Sequence, residues 1–122
     1  MKYRFFSFSS VLGVAVALAS CTPSGDLPLY SWYGYADAQY QYVNKPSAEA
    51  REKLRSEYIN MWVGQKAQRK VVPPGLSADY GLLLYREGNR EDGLSYLRKE
   101  AELYPEAKTY VERLIKKLEE GK

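Results

Sequence analysis

The side chains that most often act as a nucleophile, a general base or a metal ligand, histidine and cysteine, are scarce in this sequence. Its 122 residues include no histidine and a single cysteine, Cys21. Histidine is the commonest general base and the commonest protein ligand for metals, so both roles lack their usual residue. One cysteine forms neither an intramolecular disulfide nor a cysteine-based metal site. We therefore expect no metal site and no cofactor site.

Carboxylates are the remaining groups that could catalyse a reaction, for instance the hydrolysis of envelope glycans. The candidates are Asp26, Asp37, Glu91 and Asp92. Such an enzyme needs two carboxylates that face each other across a cleft at a defined separation. These four are scattered along the sequence, and adjacent residues on a helix point in different directions. We therefore predict no catalytic residues and a protein that is not an enzyme.

Cys21 has a different chemistry, which the residues before it indicate. A basic start, an apolar stretch and then small residues form the layout of a secretory signal. The apolar stretch is shorter than the roughly 20 residues that span a bilayer. Residues 18–21, L-A-S-C, resemble a bacterial lipobox. The resemblance implies that residues 1–20 are a signal peptide, cleaved between Ser20 and Cys21, and that Cys21 carries a covalent lipid. The alternative is an ordinary signal peptide followed by a coincidental free cysteine.

The residue after Cys21 bears on which membrane holds the lipid. An aspartate there resembles the signal for inner-membrane retention in bacteria with two membranes, whereas this chain has Thr22. We therefore expect the periplasmic face of the outer membrane. Residues 21–28 are short and polar and read as a lipidated, flexible tether.

The charge balance argues against one class of partner. Of 18 basic side chains, Lys2 and Arg4 lie in the predicted signal peptide, which leaves 16 basic against 15 acidic side chains. Nucleic-acid binding requires a basic patch or stripe. We expect no nucleic acid, and we expect protein partners in the envelope instead.

Tyrosine and tryptophan are concentrated in residues 29–46. Three interpretations are open. The aromatic side chains could cap the open end of a helical array, form a partner-binding surface, or stack on sugar rings of envelope glycans. Interfacial anchoring next to the lipid could accompany any of them. The candidate partner-binding residues here are Trp32, Tyr33 and Tyr35.

Residues 47–122 read as one helical domain. Ser47 is a good N-cap, and Leu54, Tyr58, Met61 and Trp62 recur at helical spacing after it. Beyond them, Lys66, Arg69 and Lys70 read either as a solvated helix terminus or as a basic docking site. Two prolines and a glycine then interrupt the helical pattern before residue 76.

Residues 76–105 predict two antiparallel helices joined near Gly88 and Asn89. Their spacing resembles a tetratricopeptide repeat. The residues at the signature positions of the repeat are Tyr80, Gly81, Leu84, Gly88, Gly93, Leu94, Leu97 and Pro105. Gly93 and Glu100 depart from the pattern, since alanine and another small residue are usual there. The alternative is an ordinary helical hairpin.

Pro105 is predicted to open one further helix. The predicted fold is therefore all-α, a tetratricopeptide-like array of about one and a half repeats with an aromatic-rich N-terminal segment. Arrays usually need about three repeats, so either the preceding helix and aromatic segment complete the core or a partner does. A groove lined by Tyr80, Leu83, Tyr96 or Tyr104 would accept a segment of that partner.

Residues 29–35, L-Y-S-W-Y-G-Y, and 72–84, V-P-P-G-L-S-A-D-Y-G-L-L-L, together with the lipobox, resemble one family. It comprises small Gram-negative lipoproteins grouped as domain of unknown function 4810. The resemblance implies a tetratricopeptide-like periplasmic lipoprotein whose relatives' genes often lie beside one for a lipoprotein similar to the curli secretion channel. It supplies no catalytic residues.

The function we expect is a protein-binding adaptor or scaffold in an envelope complex, with another outer-membrane lipoprotein as partner. The alternatives are a pilotin-like assembly chaperone for an outer-membrane pore and a glycan-binding lipoprotein. The first alternative predicts a mislocalised client when Cys21 is replaced, and the second predicts binding to envelope sugars.

Overall fold

The computed structural model describes residues 25–121, which form five α-helices and one 3-10 turn with no strand among them. The predicted signal peptide and Cys21 lie outside the described residues. The helices are α1 (Tyr35–Asn44), α2 (Ala48–Val63), α3 (Leu76–Arg86), α4 (Arg90–Leu103) and α5 (Lys108–Glu120), with the 3-10 turn at Pro105–Ala107. The predicted all-α hairpin array is confirmed. Helix α1 lies inside the aromatic-rich segment, where no helix was predicted.

Helix α2 begins as predicted. The Ser47 hydroxyl accepts a hydrogen bond from the Ala50 N–H at 3.0 Å, which satisfies one of the free donors of the first turn. Leu54, Tyr58 and Met61 are buried on one face. The helix ends at Val63, earlier than the basic residues suggested, because Gly64 follows. Lys66, Arg69 and Lys70 therefore lie in the loop beyond the helix and not on its last turn.

A left-handed glycine reverses the chain between α3 and α4. Gly88 has a φ of 94°, its N–H donates to the Tyr85 carbonyl at 3.1 Å, and the Asn89 N–H donates to the Leu84 carbonyl at 3.0 Å. This pair of bonds is a Schellman motif. The Asn89 side chain donates to Asp92 and caps no backbone N–H.

Two glycines let α3 and α4 touch backbone to backbone. A Cβ on Gly81 would lie 2.6 Å from the Gly93 carbonyl oxygen, and one on Gly93 would lie 2.7 Å from the Gly81 carbonyl oxygen. This contact explains why Gly93 departs from the repeat pattern. The other departure, Glu100, is buried, and its Oε1 accepts a hydrogen bond from the Gly75 N–H at 2.6 Å at the start of α3.

The core is continuous from α1 to α3. Ala38 from α1 and Leu54, Tyr58 and Met61 from α2 pack with apolar residues of α3 in one cluster. Helices α1 and α2 thus complete the core that the short repeat array lacks, and the number of repeats alone does not require a partner. Helix α5 closes the other side through buried Val111 and through the Tyr85 hydroxyl, which donates to the Leu118 carbonyl at 2.7 Å.

The core tyrosines predict a loss of stability in alkali. Burial raises the pKa of Tyr35, Tyr58, Tyr80 and Tyr104 above the ordinary value of 10.0. Below that pH these groups are protonated in both states and contribute no pH dependence. Above it the unfolded chain ionises while the folded chain resists, so stability falls as pH rises. For fully buried Tyr58, the free energy of unfolding should drop by about 1 kcal/mol from about pH 10 to about pH 11.

Urea denaturation followed by circular dichroism at these two pH values measures the change. A Tyr58→Phe variant should show a shallower decrease, because it lacks one of the ionising groups. Equal slopes in the two proteins would contradict the assignment of Tyr58 to this effect.

Candidate partner-binding surface

The residues before α1 are fixed on the loop between α2 and α3. The Gln68 N–H donates to the Pro28 carbonyl at 3.0 Å, and the Arg69 N–H donates to the Leu29 carbonyl at 3.1 Å. The Ser31 N–H donates to Gln65 Oε1 at 2.9 Å, and Gln65 Nε2 donates back to the Ser31 carbonyl at 3.0 Å. The Gln68 side chain also donates to the Leu27 carbonyl at 2.5 Å, so the end of the predicted tether is hydrogen bonded to the domain from Leu27 onward.

A tight turn then leads into α1. The Tyr35 N–H donates to the Trp32 carbonyl at 3.1 Å, and Tyr33 has a left-handed φ of 46°. The Gly34 N–H donates to Glu57 Oε2 of α2 at 3.1 Å. The Tyr33 hydroxyl donates to the Gly64 carbonyl at the end of α2. The turn thus has fixed contacts to α2 at both of its central residues.

The large apolar side chains of Trp32 and Tyr33 are about half exposed to solvent. Their exposed fractions are 49% and 48%. Val63, next in sequence to the glycine that Tyr33 contacts, is 80% exposed. We refer to Trp32, Tyr33 and Val63 as the aromatic surface. The hydrogen bonds of the turn fix the backbone at its two aromatic residues, and the Tyr33 hydroxyl is hydrogen bonded as well.

A chain of ring contacts supports this surface from inside. From the turn inward, the ring centroids are 6.0 Å apart for Trp32 and Tyr35 and 5.3 Å apart for Tyr35 and Tyr58. The contacts continue at 5.0 Å from Tyr58 to Tyr80 and at 4.8 Å from Tyr80 to Tyr96. The last contact, from Tyr96 to Trp62, is 5.4 Å. Rings at these separations contribute more than their buried area alone. The chain runs from the exposed turn through the core to α4, where the Lys99 ammonium lies 4.5 Å from the centroid of Tyr96.

The other candidates predicted from sequence are less accessible. Tyr80, Leu83 and Tyr104 are buried, so a groove lined by them is not open and that expectation is wrong. The Tyr104 hydroxyl donates to the Val72 carbonyl inside the protein. Tyr96 is half-buried between Tyr80 and Trp62. Tyr35 is also half-buried, and its hydroxyl donates to Asp79 Oδ2 at 3.3 Å.

Sequence reasoning missed Val63 as an exposed residue, because its place at the end of α2 depends on where that helix stops. It also missed Tyr40 and Val43, which α1 presents to solvent. The turn contacts of Tyr33 join residues 31 positions apart in sequence. No local pattern signals such a contact.

The carboxylates considered as catalytic groups lie at the surface of the protein. Asp26, Asp37, Glu91 and Asp92 are all exposed. Between residues 25 and 121 no group of three or more His, Cys, Asp or Glu side chains is arranged to hold a metal ion. Over the same range, no helix combines the length and apolar character needed to cross a bilayer. What the geometry offers is a pair of half-exposed aromatic side chains on a turn that is hydrogen bonded to α2 and to the residue that follows it.

Comparison with known families agrees with this architecture. The family model described as a domain of unknown function, DUF4810, matches residues 29–114. The chain belongs to the DUF4810 family. The matched part of this DUF4810 protein includes the whole aromatic surface and runs into α5, and the predicted family is confirmed. No curated protein and no solved structure matches the chain.

Proposed function

We propose that this DUF4810 protein is a lipid-anchored adaptor that binds another envelope protein through its aromatic surface. It has no catalytic role in this proposal. Cys21 carries the lipid, and residues 22–26 connect it to the domain at the periplasmic face of the outer membrane. The partner is an outer-membrane lipoprotein, and one similar to the curli secretion channel is the first to test.

One observation carries the proposal, namely that Trp32 and Tyr33 are half exposed although their backbone is fixed. Tryptophan and tyrosine dominate the energetics of protein interfaces. A side chain that is already ordered loses little conformational entropy when a partner covers it. The turn at residues 32–35 therefore provides contact area at low entropic cost, which favours protein recognition over a purely structural role.

The proposal is tested by co-isolation from membranes. Replacing Trp32 and Tyr33 together with alanine should weaken partner binding at least about 30-fold, because a single interface hot spot contributes roughly 2 kcal/mol or more. The protein is isolated from detergent-solubilised membranes through a C-terminal tag, and the bound protein is identified by mass spectrometry. Affinity is then measured with the purified pair.

A matched control replaces two exposed aromatic residues elsewhere, Tyr40 and Tyr110, with alanine. This control should retain the partner, and both variants should melt within a few degrees of the parent protein. Equal retention of the partner by both variants would rule out the aromatic surface as the partner-binding site. Capture of envelope glycan instead of protein would favour the sugar-binding alternative.

A further inference from the structure

A second surface lies beside the aromatic one, where the chain enters the domain. Leu27 and Leu29 are 61% and 55% exposed. The loop to which this segment is hydrogen bonded carries three exposed cations, Lys66, Arg69 and Lys70. We refer to these five residues as the basic loop surface. It combines apolar side chains with positive charge at one place.

The cations of this surface have few acidic neighbours in the sequence. None of the three forms an ion pair with another residue in the range 25–121. Residues 64–78 contain no acidic side chain, and neither do residues 27–36. Asp26 is the acidic residue next to the surface in sequence. Glu57 and Glu100 of the neighbouring helices already accept hydrogen bonds from Gly34 and Gly75.

The position of the surface indicates its occupant. Five residues lie between Cys21 and Leu27, and the six Cα-to-Cα steps of a fully extended chain span about 20 Å. A lipid on Cys21 therefore keeps the basic loop surface close to the bilayer. Apolar side chains with lysine and arginine beside them match the interface of a membrane that contains anionic phospholipids.

From this juxtaposition we propose that the basic loop surface binds the anionic phospholipid surface of the membrane to which the chain is anchored. The inference rests on the proposed lipid anchor. Docking fixes the orientation of the domain. Trp32 is three residues from Leu29, so the aromatic surface lies beside the membrane, within reach of a partner anchored in the same leaflet.

The test uses the acylated chain in proteoliposomes. Leu29→Cys introduces a thiol for an environment-sensitive dye, and Tyr110→Cys places the same dye on α5 as a control. The vesicles contain phosphatidylcholine alone or with about a third phosphatidylglycerol, and brominated lipid serves as the quencher. We expect strong quenching at position 29 only in the anionic vesicles, and weak quenching at position 110 in both.

Neutralising the cations measures their contribution. Lys66→Gln, Arg69→Gln and Lys70→Gln together should shift the docking equilibrium about 100-fold toward the undocked state, since each cation contributes about a factor of five at an anionic surface. The matched control Arg113→Gln, Lys116→Gln and Lys117→Gln removes the same charge from α5 and should leave docking unchanged. High salt should likewise shift the domain of the parent protein toward the undocked state.

Equal quenching at positions 29 and 110 would overturn the inference, as would quenching at position 29 that survives the loop substitutions. Shielding of position 29 that requires an added protein would also overturn it and would assign the surface to a protein partner. Absence of the lipid anchor is detected by a separate measurement, flotation with vesicles. A chain that does not float with phosphatidylcholine vesicles lacks the proposed lipid, whereas its response to anionic vesicles can still be measured.

Discussion

Gly81→Val should destabilise the protein by about 3 kcal/mol, the upper end of the range for overpacked core positions. The first added carbon would lie 2.6 Å from the Gly93 carbonyl oxygen and 3.1 Å from the Leu97 backbone nitrogen. Both neighbours are helix backbone, which cannot move without separating α3 from α4. In a domain of this size the loss corresponds to a decrease in Tm of roughly 10–20 °C.

Alanine at the same position isolates the steric effect. Gly81→Ala gains up to about 1 kcal/mol in helix propensity, which partly offsets the clash, so its loss should be smaller than that of valine. Gly93→Ala, which would restore the usual repeat residue, should also destabilise, because its Cβ would meet the Gly81 carbonyl oxygen at 2.7 Å and the Tyr85 backbone nitrogen at 2.9 Å.

Thermal and urea unfolding followed by circular dichroism measure these effects. Gly25→Ala is the control, because nothing lies within 4 Å of its added carbon and its φ is not left-handed. It should change stability by less than about 0.5 kcal/mol. If Gly81→Val were as stable as the parent protein, the close backbone contact between α3 and α4 would be wrong.

The hairpin of α3 and α4 was predictable because its determinants are local. A left-handed glycine after a helix and small residues where two helices cross each have a stated physical cause. The face of α3 that enters the core was harder to predict. Leu82, Leu83 and Leu84 are consecutive and cover most of the helix circumference, so sequence alone could not exclude Leu83 from an open groove.

Helix α1 was not predicted from the sequence, for a related reason. Tyr35, Ala38 and Tyr42 face the domain, whereas Tyr40 and Val43 face solvent. Apolar residues therefore occur all round the helix, and no single stripe marks it as amphipathic. Its N-terminus also lacks a side-chain cap, because Gly34 occupies that position. The aromatic surface depends on contacts of Tyr33 and Ser31 with residues more than 30 positions away, which no local pattern encodes.

Tyr58→Ala should cost about 3–5 kcal/mol, the range for removing a buried aromatic ring. Tyr58 is fully buried on α2. Its ring stacks on Tyr80 at an interplanar angle of 28° and packs against Tyr35 at 60°. Removing it leaves a cavity between α1 and α3 that neither helix can close without breaking other contacts. Urea denaturation gives the free-energy change, and Tyr110→Ala, at an exposed ring, should be nearly neutral.

Tyr58→Phe separates the ring from its hydroxyl. It keeps the packing and removes only a hydroxyl, so its cost should not exceed about 1.5 kcal/mol. A small effect of alanine, comparable with that of phenylalanine, would contradict the role of the ring as a core support.

Tyr58→Ala also connects stability to the proposed function. Trp32 contacts Tyr35, and Tyr35 contacts Tyr58, so loss of the Tyr58 ring removes the support beneath the aromatic surface. Partner affinity should therefore fall in Tyr58→Ala even at temperatures where circular dichroism shows that the variant is folded, and it should stay unchanged in Tyr58→Phe. If the folded alanine variant bound the partner as well as the parent protein does, the hydrogen bonds of Ser31 and Tyr33 would suffice to hold the surface. The chain of rings would then stabilise the core without ordering Trp32.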